Sequence, residues 1–101
     1  MAIYQISYEL RTKDFDYSNL FDFLETNQKE SETIQVLDNV WWIYYRESGM
    51  ELNKDNLLKK LTGFMGREDI LFINDVPTSN YAGRLPKRNW DWLLKHNQKY
   101  N

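Results

Sequence analysis

Glu9 closes the polar face of an otherwise apolar run, Ala2 to Leu10, and Asp14 and Asp16 follow it within one short loop. Two carboxylates brought together could hold Mg²⁺ or Mn²⁺, hard cations that take few protein oxygens and keep their waters. Glu9 and Asp14 are therefore the candidate metal ligands. An exposed strand residue paired with Arg11 or Lys13 is the plainer reading of Glu9, and turn and cap positions are the plainer readings of Asp14, Asp16 and Asp38. A second group of chemistry-bearing residues lies near the end of the chain. Arg84, Lys87 and Arg88 interleave with Trp90 and Trp92, a pairing able to hold phosphates and stack bases. Trp90 shares a helical face with Leu93 and Leu94, so Trp92 is the aromatic expected to point outward.

Other chemistries lack their residues. The chain has no cysteine, so thiolate metal sites and cysteine nucleophiles are absent. His96 is the sole histidine, without the spacing of a zinc hydrolase, and its place in the last helix predicts an interaction with the helix dipole. No glycine-rich phosphate loop occurs, which argues against a nucleotide cofactor. The net charge of −2 is unevenly spread. Residues 1–81 carry 8 Lys/Arg against 14 Asp/Glu, whereas residues 82–101 carry Arg84, Lys87, Arg88, Lys95 and Lys99 against Asp91 alone. A general nucleic-acid binder is usually basic throughout. A basic tail on an acidic body suits a local anion contact or docking of the tail on the body.

The elements that must position these residues follow from periodicity. Tyr4, Ile6, Tyr8 and Leu10 alternate with Gln5, Ser7 and Glu9 as a strand. Tyr17, Leu20, Phe21 and Leu24 form one helical stripe, capped by Asp16. Thr33 to Arg46 reads as a hairpin turning at Asp38-Asn39, residues that tolerate positive φ. Leu57, Leu58, Leu61, Phe64 and Met65 form a second stripe, with Asn53 as its cap, Gly63 inside it and Gly66 ending it in a left-handed conformation. Ile70 to Ile73 is a short strand, and Trp90, Leu93 and Leu94 mark a terminal helix.

The order β-α-β-β-α-β predicts an α+β, ferredoxin-like domain: an antiparallel sheet with two helices on one face, plus a short C-terminal helix. Residues 1–77 form the ferredoxin-like part, and residues 78–101 a loop and docking helix of the same domain. The arm Val40 to Tyr45 is apolar on both sides, so the sheet face away from the helices needs a cover. A homodimer through Trp41, Trp42 and Tyr44 is one answer, and the terminal helix is another. The first ten residues lack the basic start of a signal peptide, and no apolar run approaches the ~20 residues of a membrane span, so no membrane partner and a cytoplasmic location are expected.

Ile3 to Leu10 resembles the opening strand of the small ferredoxin-like CRISPR-associated adaptation nucleases, and most nearly their SinR-like branch. Leu37-Asp38-Asn39-Val40-Trp41 is similar to that branch's hairpin, Asp69 to Ile73 to its last core strand, and Asn89 to Leu93 to its closing helix. The resemblance implies a homodimer packed through its sheets. It also implies a metal-dependent phosphodiesterase acting on nucleic acid, in which Glu9 meets its symmetry mate and serves as the catalytic residue. The family's usual residue there is Asp. The rival expectation is a non-catalytic module of the same fold that binds nucleic acid or a second protein in phage defence, counter-defence or a toxin–antitoxin role.

Overall fold

The computed structural model describes residues 3–29, 32–44, 54–77 and 81–98. The elements are β1 (Ile3–Glu9), α1 (Ser18–Lys29), β2 (Thr33–Leu37), β3 (Val40–Tyr44), α2 (Lys54–Thr62), β4 (Ile70–Asp75) and α3 (Lys87–Gln98). The four strands form one sheet in the order β2-β3-β1-β4. β1 pairs antiparallel with both β3 and β4, and β2 antiparallel with β3. It follows that β1 and β2 run parallel with β3 between them, and β3 and β4 run parallel with β1 between them.

Alternation along the strands sends side chains to two separate cores. On the first face Tyr4, Ile6, Tyr8, Trp41 and Ile43 meet Leu20 and Leu24 of α1 and Leu57 and Leu61 of α2. On the second face Ile3, Ile34, Trp42 and Tyr44 meet Trp92 and Leu93 of α3. The double-sided apolar character of β3 therefore has an internal cause, because each face of that strand is covered by helix. Trp41, Trp42 and Tyr44 are 3%, 6% and 0% exposed. They are core residues, and the expectation that they form a dimer interface is corrected.

The boundaries follow local chemistry. Asp16 accepts from the Ser18 backbone N–H at 2.9 Å, the expected cap of α1. The Thr33 hydroxyl donates to the Leu24 carbonyl at 2.6 Å, tying the middle of α1 to the start of β2. Asp38-Asn39 makes the hairpin turn, but neither residue takes positive φ; a register irregularity between Gln35 and Leu37 lets the strands meet instead. α2 ends at Thr62, so Gly63 lies past the helix rather than inside it. Gly66 is not left-handed. A side chain there would collide with Thr12, so close approach is what demands glycine. Asn53, Tyr45 and Arg46 lie outside the described residues.

α3 buries a different face from the expected one. Asn89, Trp92, Leu93 and His96 are buried, spaced as one stripe, while Leu94 is 57% exposed. The Asn89 side-chain amide donates to the Gln35 carbonyl at 2.9 Å and fixes the start of α3 on β2. α3 thus lies over the β2–β3 side of the second face.

Candidate functional site

Glu9 ends β1 directly before the loop of residues 10–17. Its Oε2 accepts from Arg11 Nε at 2.7 Å, and the same guanidinium completes an ion pair with it. Both side chains are more than half exposed. Glu9, Arg11, Phe21, Asp38 and Asn39 line one shallow groove at this end of the sheet. Tyr8 shapes that groove: its hydroxyl accepts from Trp41 Nε1 at 3.1 Å and donates to the Asp38 carbonyl at 3.5 Å. Burial pushes the Tyr8 phenol above its ordinary pKa.

Asp14 does not join Glu9 there. It takes φ 60°, a left-handed conformation that Asp tolerates, and is exposed in the turn after β1. Among the described residues no group of three or more His, Cys, Asp or Glu side chains converges to hold a metal ion. Glu9 is held by Arg11, and Asp14 lies in the turn beyond it, outside the groove that Glu9 lines. Exposed ion pairs contribute little to stability. Glu9→Gln is accordingly expected to shift the thermal midpoint by at most a few degrees, read by circular dichroism.

The organising carboxylate at this end is Asp69, which the sequence marks only as the residue before β4. Its Oδ1 accepts from the backbone N–H of Arg11 at 2.6 Å and of Thr12 at 2.9 Å, from the Thr12 hydroxyl at 3.1 Å and from the Tyr17 hydroxyl at 2.7 Å. Its Oδ2 accepts from the Gly66 N–H at 2.7 Å. Desolvation acts to raise its pKa. The bonds from Tyr17, Gly66, Thr12 and Arg11 outweigh it and hold the carboxyl well below the usual carboxylate range. Asp69 thereby knots the loop after β1 to the turn before β4.

The basic and aromatic residues of the tail separate. Lys87 Nζ pairs with Asp91 at 2.8 Å on its own helix, an i,i+4 contact. Arg84 and Arg88 are exposed. Trp92 is 7% exposed, between Trp42 at 6.2 Å and His96 at 4.2 Å between ring centroids. It is a core residue, so its expected role as an outward base-stacking contact is corrected. His96 also packs on Tyr44 at 4.3 Å and is 1% exposed, a core position rather than a solvated helix end.

A second concavity lies where the α3 side of the second face meets the β1–β4 side. Its floor holds Gln5, Trp42 and Asn74, and its walls Tyr81, Leu85 and Trp90. Tyr81 and Trp90 stack with centroids 6.0 Å apart and planes 9° apart. Beyond it the β1–β4 half carries Ser7 opposite both Val40 and Phe72, and Glu9 opposite Ile70. Phe72 is 64% exposed and Ile70 47%. No helix of the described residues is long and apolar enough to cross a membrane. No protein-family model, curated protein or solved structure matches this chain.

Proposed function

We propose that this chain is a ferredoxin-like interaction module, akin in fold to the SinR-like branch of the CRISPR adaptation nucleases. It pairs with a second copy through the open β1–β4 half of its sheet, and it does not itself carry out phosphodiester hydrolysis. The strand order β2-β3-β1-β4, with each parallel pair separated by an antiparallel strand, supports the fold name. The observation that carries the functional reading is the contrast between the two halves of the second face. α3 covers the half around Trp42 and Tyr44, while Phe72 and Ile70 stand exposed on β4, which is also a sheet edge. Exposed apolar residues together on an edge strand mark an interaction surface. A second copy meeting there would bury Phe72, Ile70 and Val40 without displacing α3.

Against phosphodiester chemistry stands the pairing of Glu9 with Arg11, which neutralises the carboxylate that chemistry would need. Light scattering tests the assembly. The wild type is expected to run as a dimer at high micromolar concentration and Phe72→Glu as a folded monomer. A wild-type monomer, or a dimer unaffected by Phe72→Glu, would remove this reading. Nuclease assays with Mg²⁺ or Mn²⁺ are expected to show no activity that Glu9→Gln abolishes. Metal-dependent cleavage lost in Glu9→Gln would instead favour the phosphodiesterase reading with nucleic acid as substrate.

A further inference from the structure

The concavity beside α3 has a chemistry of its own, independent of the dimer surface. Its volume is about 240 Å³, below the ~300–1,000 Å³ usual for drug-sized ligands, which suits a ligand of one or two rings. Its wall is the stacked pair Tyr81–Trp90, and Trp42 contributes a third aromatic side chain at the floor. Its polar groups are few and their orientations are chemically fixed. Trp42 Nε1 donates to Gln5 Oε1 at 3.0 Å, and an indole nitrogen can only donate, so the amide nitrogen of Gln5 is the end left to face a ligand. Asn74 Nδ2 donates to the Asp75 carbonyl at 3.1 Å, and a carbonyl can only accept, so the Asn74 oxygen is the end left over. Gln5 and Asn74 are direct cross-strand partners. An amide donor and an amide acceptor therefore sit side by side beneath aromatic walls.

That arrangement complements a flat heterocycle with an adjacent acceptor and donor on one edge, the pattern shared by the standard nucleobases. Aromatic stacking with hydrogen bonds to the base edge is how proteins hold an unpaired base. Arg84, between the lining residues Gly83 and Leu85, is exposed, as is Arg88 in the first turn of α3, and neither makes an ion pair among the described residues. We propose that this pocket binds the base of a nucleotide, with the base edge on Gln5 and Asn74, its face against the aromatic wall, and its phosphate directed to Arg84. The pair selects the class of ligand and not the letter. A free nucleotide and an unpaired residue of a single strand share this chemistry.

The test is a titration of the full chain, followed by the side-chain amide resonances of Gln5 and Asn74 and the indole N–H resonances of Trp42 and Trp90. The probes are the four nucleoside monophosphates, uridine, an oligouridylate, 3-methyluridine monophosphate and ribose 5-phosphate. At least one monophosphate is expected to shift these resonances saturably below millimolar concentration. With uridine monophosphate as the reporter, blocking N3 by methylation is expected to weaken binding about tenfold, the scale of one lost hydrogen bond left unpaired. Gln5→Glu keeps the acceptor for Trp42 but replaces the donor, and is expected to weaken binding similarly. Arg84→Glu should weaken the monophosphate and leave uridine unaffected. Tighter binding of the oligomer than of the monophosphate would identify a single strand as the source, and the reverse a free nucleotide. The proposal is overturned if no monophosphate shifts these resonances, if 3-methyluridine monophosphate binds as well as its parent, or if ribose 5-phosphate produces the same shifts. The wild-type comparisons decide the matter even where a variant fails to fold.

Discussion

Trp92→Ala is expected to lower the thermal midpoint by on the order of 10–40 °C, while reversing Arg84 and Arg88 to Glu changes it by no more than a few degrees. Trp92 is 7% exposed, packed on Trp42 and His96 at the centre of the only cover that the β2–β3 half of the second face has among the described residues. Truncating a buried Trp removes its transfer free energy and leaves a cavity, together about 3–5 kcal/mol. In a domain of this size each kcal/mol is worth roughly 4–8 °C. Arg84 and Arg88 are exposed, and surface charges of that kind contribute little. The basic charge of the tail is thus incidental to its docking, which rests on Trp92, Leu93 and His96. Thermal unfolding followed by near-ultraviolet circular dichroism reads both changes. Equal, mild effects would mean that α3 does not seal the sheet.

Asp69→Asn should lower the midpoint at neutral pH by on the order of 5–10 °C, through the loss of charge-assisted bonds and an amide nitrogen set against backbone or hydroxyl donors. Oδ1 and Oδ2 of Asp69 both accept N–H groups, so neither orientation of an asparagine satisfies the site. The pH dependence has a definite sign. The folded-state pKa lies well below that of an ordinary aspartate. The stability from this carboxylate is therefore fully present above the unfolded value and lost as pH falls through the folded one. The gap between wild type and Asp69→Asn should be constant from neutral pH down to about pH 5 and narrow progressively as the pH falls further. A gap that persisted unchanged in acid would mean that the charge on Asp69 does not hold the loop.

The parts of this molecule legible in its sequence are those where one period dominates. The alternation of Tyr4, Ile6 and Tyr8 and the stripe of Leu20 and Leu24 follow from amphipathic patterning, and both lie in the first core. The terminal helix was legible as a helix but not in its orientation. Trp90, Leu93 and Leu94 are more apolar than Trp92, Leu93 and His96, and a stripe that includes a histidine is invisible to a count of apolar residues. The packing of His96 on Tyr44 decided it. Trp41, Trp42 and Tyr44 were legible as needing cover on both sides, but a helix of the same chain and a second copy satisfy that need alike. Asp69 and Gly66 were hidden because their partners, Arg11, Thr12 and Tyr17, stand more than fifty residues away in the chain. The Gln5–Asn74 pair depends likewise on the register of β1 against β4.

Hydrogen exchange measured by mass spectrometry at low and high protein concentration directly tests pairing through the open β1–β4 half of the sheet. Peptides covering Ile70–Asp75 and the hairpin end at Leu37–Val40 should exchange more slowly at high concentration, while those of α1, α2 and α3 stay unchanged. Exchange that is independent of concentration throughout, or slowing confined to α3, would contradict it.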